Sequence, residues 1–190
     1  MHHEWLLAGF GGQGILFLGD LLAQAAMRQG LQTTYMPTYG VAMRGGTANC
    51  IVRLSDGPIG SPLFEEPDAA IILNQQSFTK FLPVLRSGSL IIANSSMIDA
   101  ENANTRKDVH IVYVPATELA REAAGTERAT NMIALGAFLA VENTLQENTI
   151  EQIMGEERNP SKQKLVQTNK TAIQAGMAYV HKLASSRNGA

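Results

Sequence analysis

The chain has 190 residues, 45% of them apolar, with 15 basic and 17 acidic side chains and a formal charge of −2. A chain of this length buries roughly 70% of its extended surface, so a core can form without disulfides or metal. The near-neutral balance, without a run of Lys or Arg, excludes a nucleic-acid groove and a basic membrane-binding face.

No run of about 18 apolar residues is available to span a bilayer. Met1-His2-His3-Glu4 leads directly into an apolar segment with no cleavable signal pattern. A cytoplasmic protein is expected. Cys50 stands alone; it can form neither an internal disulfide nor the cage of about four thiolates that holds an iron–sulfur cluster.

In chain order, Trp5 to Ala8 reads as a short buried strand. The turn Gly9-Phe10-Gly11-Gly12-Gln13-Gly14 follows, then a helix from about Gln13 to Arg28. Leu18, Leu21, Leu22 and Ala25 give that helix a core-facing stripe, and Gly30 ends it. Thr33 to Met36 is a second strand, closed by Pro37. This strand–turn–helix–strand unit predicts the opening of a parallel sheet. Tyr39 to Gly46 has no period, and Thr47 to Leu54 alternates as a half-covered strand. On that strand Cys50 lies on the inward face, as a small core residue.

Ser55 to Pro58 is a turn. Strands at Ala69–Leu73, Ser89–Ala93 and Val109–Val114 alternate with a helix at Gln76–Leu85. Thr117 to Ala124 is a short helix. Thr130 is placed to cap the next, which is apolar almost all round from Met132 to Val141 and belongs in the core or against a partner. Asn159 and Pro160 open a last helix to about Leu183, with Val166, Ile173 and Val180 seven residues apart. The predicted fold is α/β: a three-layer α/β/α Rossmann-like sheet over 1–115, with C-terminal helices over 116–190, in a single domain.

Gly9, Gly11 and Gly14 satisfy G-x-G-x-x-G between a strand and a helix. Glycine there allows positive φ and lets a phosphate approach bare backbone at the positive end of a helix. A dinucleotide fold also places Asp or Glu about 20 residues on, to hold the ribose. Here Thr33 to Thr38 contains no acid. NAD(P) binding, contact with another phosphate or with a partner's backbone, and close packing alone all remain open on these residues. A second stretch, Tyr39-Gly40-Val41-Ala42-Met43-Arg44-Gly45-Gly46-Thr47-Ala48-Asn49, sets one guanidinium beside paired glycines. That combination suits a phosphate or carboxylate, and it equally describes a surface loop with a solvated Arg.

Taken together, Gly9–Gly14 and Arg44–Asn49 resemble the gamma subunits of 2-oxoacid:ferredoxin oxidoreductases. The resemblance continues through Pro58–Pro62, Asn74-Gln75, Asn94-Ser95-Ser96 and Asn131–Ala137, so it spans nearly the whole chain. It implies oxidative decarboxylation of a 2-oxoacid to an acyl-coenzyme A with ferredoxin as electron acceptor, and 2-oxoglutarate is the first expectation for the substrate. It also implies no cofactor bound by this chain alone. Thiamine diphosphate, magnesium and [4Fe–4S] clusters lie on alpha and beta (in some enzymes also delta) subunits, and coenzyme A is a co-substrate. By position the resemblance assigns a cofactor-binding region to Gly11, Gly12, Gln13, Gly14, Tyr39, Met43, Arg44, Gly45, Gly46, Thr47 and Asn49, with Arg44 the coenzyme A cation. No catalytic residue and no metal ligand is assigned.

One departure stands out: Val41-Ala42 occupies the place where many members carry an acidic pair. Ser55-Asp56-Gly57 lacks the first glycine of a thiamine motif, and His2, His3, His110 and His181 have no ligand spacing. His2 and His3 are expected to fray. The alternatives are a free-standing NAD(P)-dependent reductase and a stand-alone phosphate-ligand-binding module.

Overall fold

The computed structural model describes residues 1–39, 46–60, 66–100, 106–156 and 158–188. Among these, six strands form one mixed sheet: β1 (His2–Phe10), β2 (Gln32–Tyr39), β3 (Thr47–Ser55), β4 (Ala69–Ile72), β5 (Leu90–Asn94) and β6 (His110–Val114). The helices are α1 (Ile15–Arg28), α2 (Gln75–Phe81), α3 (Ala116–Ala124), α4 (Thr130–Leu139), α5 (Glu147–Gly155) and α6 (Pro160–Asn188). No helix among the described residues is long and apolar enough to cross a membrane.

The spatial order is β2-β3-β1-β4-β5-β6. β1, β4, β5 and β6 run parallel, whereas β3 is antiparallel to both β1 and β2. The expected wholly parallel opening is therefore corrected. β2 pairs with β3, its successor in the chain, and β3 wedges between β1 and the strand that α1 delivers. β2 also runs through Pro37 to Tyr39. It is an edge strand bonded on one side, where a missing N–H is tolerated.

Alternate residues of each strand feed two cores. Trp5, Leu7, Cys50, Val52, Leu54, Ile71 and Ile92 meet α1, α3, α4, α5 and α6 on one face. Leu6, Ala8, Ile51, Ala70, Ile72 and Ile91 meet α2 on the other, through Phe78 and Phe81. β3 is covered on both sides, with Ile51 as well as Cys50 buried, so the half-covered reading does not hold. α4 is buried at every position, as its uniformly apolar sequence requires. It crosses α6 at Gly136 and Gly176, each facing the other helix's backbone. Trp5 sits edge-on to Phe138 of α4, with ring centroids 5.0 Å apart at 80°.

Several boundaries shift for identifiable reasons. α1 begins at Ile15, because Gly14 is left-handed at φ 73°. α2 ends at Phe81, and Pro83 lies in a 3-10 turn, Leu82–Val84. Thr130 is the first residue of α4, and its hydroxyl donates back to Glu127 O instead of capping. The histidines at the start of the chain are ordered in β1. His3 Nδ1 lies 3.3 Å from Asp68 Oδ2 and its Nε2 3.3 Å from Thr144 Oγ1. α5 escapes the sequence reading because few of its residues are apolar; it is held to α1 by Gln29, which bonds Thr144 O and Gln146 N.

Candidate functional site

The C-terminal ends of β1, β4, β5 and β6 gather at one edge of the sheet. α1 and α2 leave from β1 and β4 onto opposite faces, which makes this edge a topological switch point, the place where open α/β sheets bind ligands. Four carboxamides organise it.

Gln13 closes the first glycine turn from inside. Its N–H donates to Phe10 O at 3.1 Å, and its Oε1 accepts from Phe10 N at 2.6 Å. Its Nε2 reaches exposed Met97 Sδ at 3.6 Å, and Asn74 Nδ2 approaches Oε1 at 3.5 Å. A Cβ on Gly9 would stand 2.7 Å from Gln13 Oε1, so that glycine makes room for the carboxamide. Gly14 makes room for Asn131, whose Nδ2 donates to Gly14 O at 3.3 Å. Two of the three fingerprint glycines thus serve internal packing. Gly12, with φ 95° and nothing within 4 Å of a Cβ, forms the open tip.

Asn74 caps α2, its Oδ1 accepting from Ser77 N at 2.8 Å. Asn94 is 1% exposed and joins three loops. Its Nδ2 donates to Leu73 O and Thr117 Oγ1, and its Oδ1 accepts from Ser96 N and Ala116 N. Ser96 Oγ in turn donates to Glu118. Asn74, Asn94 and Asn131 were visible in the sequence as polar residues ending apolar strands or opening an apolar helix. Periodicity alone gave them no role.

The two glycine stretches touch. Gly11 N donates to Gly46 O at 2.9 Å, one step beyond the Phe10–Thr47 pair of the β1–β3 ladder. Gly11, Gly12, Gln13, Gly14, Gly46 and Thr47 therefore lie together. Tyr39 and Asn49 follow along the strands, Tyr39 opposite Ala48, and Asn49 between Ala8 and Thr38. Met43, Arg44 and Gly45 lie outside the described residues.

The backbone amides and carboxamides described at this edge can orient a ligand without titrating. Cys50 lies beneath it, its Sγ 3.6 Å from Ile15 O. Burial pushes its thiol up to about 12, far from a reactive thiolate. The end of β2 offers Thr38 and Tyr39, with no carboxylate for a ribose, and β3 separates it from the turn. Asp56 of the defective thiamine motif is bound by the N-terminal ammonium at 2.6 Å. One buried cysteine and this engaged aspartate fit neither an iron–sulfur cluster nor a magnesium–diphosphate. Among the described residues no group of His, Cys, Asp or Glu is arranged to hold a metal ion.

Comparison with known proteins gives a consistent picture. Residues 4–179 match the profile of pyruvate ferredoxin/flavodoxin oxidoreductase. The ketoisovalerate oxidoreductase subunit VorA of Methanothermobacter thermautotrophicus is 36% identical over 171 residues, covering 90% of this chain and 35% of VorA. The chain thus spans about a third of that relative's length. The gamma subunit of a keto/oxoacid ferredoxin oxidoreductase from Geobacter sulfurreducens superposes with a TM-score of 0.82 at 26% identity, over 96% of this chain and 98% of that one. A 2-oxoglutarate:ferredoxin oxidoreductase from Magnetococcus marinus, solved with 2-oxoglutarate, coenzyme A and succinyl-CoA bound, shares the fold. Its TM-score is 0.85 at 24% identity, over 95% of this chain and 31% of that one.

Proposed function

Since the chain belongs to the pyruvate ferredoxin/flavodoxin oxidoreductase family, we propose that it is the gamma subunit of an assembly that converts a 2-oxoacid and coenzyme A into an acyl-coenzyme A. In that reaction the carboxylate leaves as CO2. The coenzyme A sulfur bonds to the acyl carbon and gives up its proton, and the electron pair of the broken C–C bond passes to ferredoxin. The observation that carries this reading is the near end-to-end correspondence with the Geobacter gamma subunit. The match runs over 96% of this chain and 98% of that one, rather than over one shared motif.

Alpha and beta subunits, with delta where the enzyme has one, supply thiamine diphosphate, magnesium and the [4Fe–4S] clusters, and the assembly works in the cytoplasm. This chain contributes the switch-point edge. The open backbone at Gly12, the adjoining Gly46 and Thr47, and the guanidinium of Arg44 border the phosphates of coenzyme A. 2-Oxoglutarate is the first substrate to try, in line with the Magnetococcus enzyme. Ketoisovalerate follows, in line with VorA.

Co-expression with the neighbouring alpha and beta chains tests the assignment. The three should co-purify and oxidise a 2-oxoacid only in the presence of coenzyme A, while this chain alone should be inert. Arg44→Ala should weaken coenzyme A binding to the assembly by about 1.5–3 kcal/mol, the range for a hydrogen bond to a charged group. A fully active monomer that ignores those chains would refute the proposal.

A further inference from the structure

Nothing in the composition of α4 calls for a carboxamide at its second position. The helix reads Thr-Asn-Met-Ile-Ala-Leu-Gly-Ala-Phe-Leu and every residue is buried. Burying an amide costs free energy unless it is hydrogen-bonded, so Asn131 is informative by its presence. Its Oδ1 accepts from Met132 N at 3.0 Å, and its Nδ2 crosses to Gly14 O at 3.3 Å. Gly14 O also accepts from Leu18 N at 3.0 Å as the first turn of α1 closes. Asn131 therefore holds the carbonyl where the glycine turn becomes helix. Gly14 is bare on the side that meets it, because a Cβ there would strike the carboxamide.

The two braces of the turn have different jobs. Gln13 belongs to the turn and fixes its internal shape. Asn131 belongs to α4, which is locked into the core against α6, and so fixes where the turn stands relative to the rest of the molecule. We infer that Asn131 is a positioning residue for the ligand at the Gly11–Gly14 turn: it aligns the open backbone at Gly12 and the start of α1 with the Gly46 side of the site. This rests on the reading that coenzyme A lies at that turn.

The test uses the assembled enzyme carrying Asn131→Ala, which removes the donor to Gly14 O without adding a charge. Asn131→Ser serves if that variant does not assemble. Amide hydrogen exchange over residues 11–16 should quicken. The calorimetric Kd for coenzyme A should rise about three- to tenfold, the loss of one neutral hydrogen bond. KM for the 2-oxoacid should stay unchanged, a split that general destabilisation would not produce. Unaltered exchange would overturn the inference. So would an unaltered coenzyme A Kd in an enzyme whose Kd does respond to Arg44→Ala, with the proposed function left standing. If neither variant moves that Kd, the coenzyme A reading and this inference fall together.

Discussion

Gly136→Ala sets two effects of opposite sign against each other at one atom. In an isolated helix the change is favourable by about 0.5–1 kcal/mol, because alanine loses less backbone entropy on folding. In this protein the new Cβ would stand 2.7 Å from the Ile173 carbonyl carbon and 2.9 Å from its Cα, with the carbonyl oxygen nearer still. Restoring the ordinary 3.4 Å to the carbonyl carbon alone parts α4 from α6 by about 0.7 Å. The struck atoms are helix backbone and cannot rotate away. Overpacking costs about 1–3 kcal/mol, and an obstacle of this kind belongs at the upper end. The net expectation is a loss of about 2 kcal/mol, or a Tm lower by about 4–8 °C for a chain of this size. Circular dichroism at the helix band reads it in a thermal scan. Gly155→Ala is the control, since nothing lies within 4 Å of its Cβ, and it should hold or raise Tm. A Gly136→Ala protein as stable as the parent would mean that the two helices do not cross at this distance, and the packing argument for α4 would fail.

Asn94→Leu should cost about 2–4 kcal/mol, because Leu73 O and Ala116 N lose a buried partner; the urea midpoint should fall at an unchanged slope. Cys50 should resist thiol reagents at neutral pH until the protein is denatured, since it is fully buried and its thiol is pushed up to about 12. The hydrogen bond to Asp68 raises the His3 pKa above its ordinary 6.5, outweighing partial desolvation. Its contribution is therefore complete below pH 6.5 and is lost as pH rises through the higher folded value. The Tm difference between the parent and His3→Gln should shrink over that interval, and a difference that grows with pH would contradict the assignment.

The α/β alternation was legible because β1, β4, β5 and β6 hold short apolar runs, β3 alternates, and α1 carries a clear apolar stripe. Even the seven-residue recurrence of Val166, Ile173 and Val180 marks the inner side of α6, where Ile173 and Val180 are buried. Strand order was not legible. Periodicity reports which face of a strand is covered and says nothing about which strand lies beside it, so the insertion of β3 between β1 and β2 passed unnoticed. The glycine turn was located correctly, but the reason for its glycines was only half visible. Gly9 and Gly14 accommodate Gln13 and Asn131, and Asn131 is distant in sequence. No local pattern could have joined it to a turn more than a hundred residues away.

Trp5 is the chain's one tryptophan, and its place between β1 and Phe138 turns it into a gauge of a single seam. Its ultraviolet emission should be blue and shielded from aqueous quenchers for as long as the sheet and α4 stay joined. Because the indole faces the helical core and not the glycine edge, subunits or nucleotides arriving at that edge should leave the colour of this light unchanged. A red shift would then report the parting of sheet and helix, and assembly could be followed apart from unfolding in the same cuvette without a label.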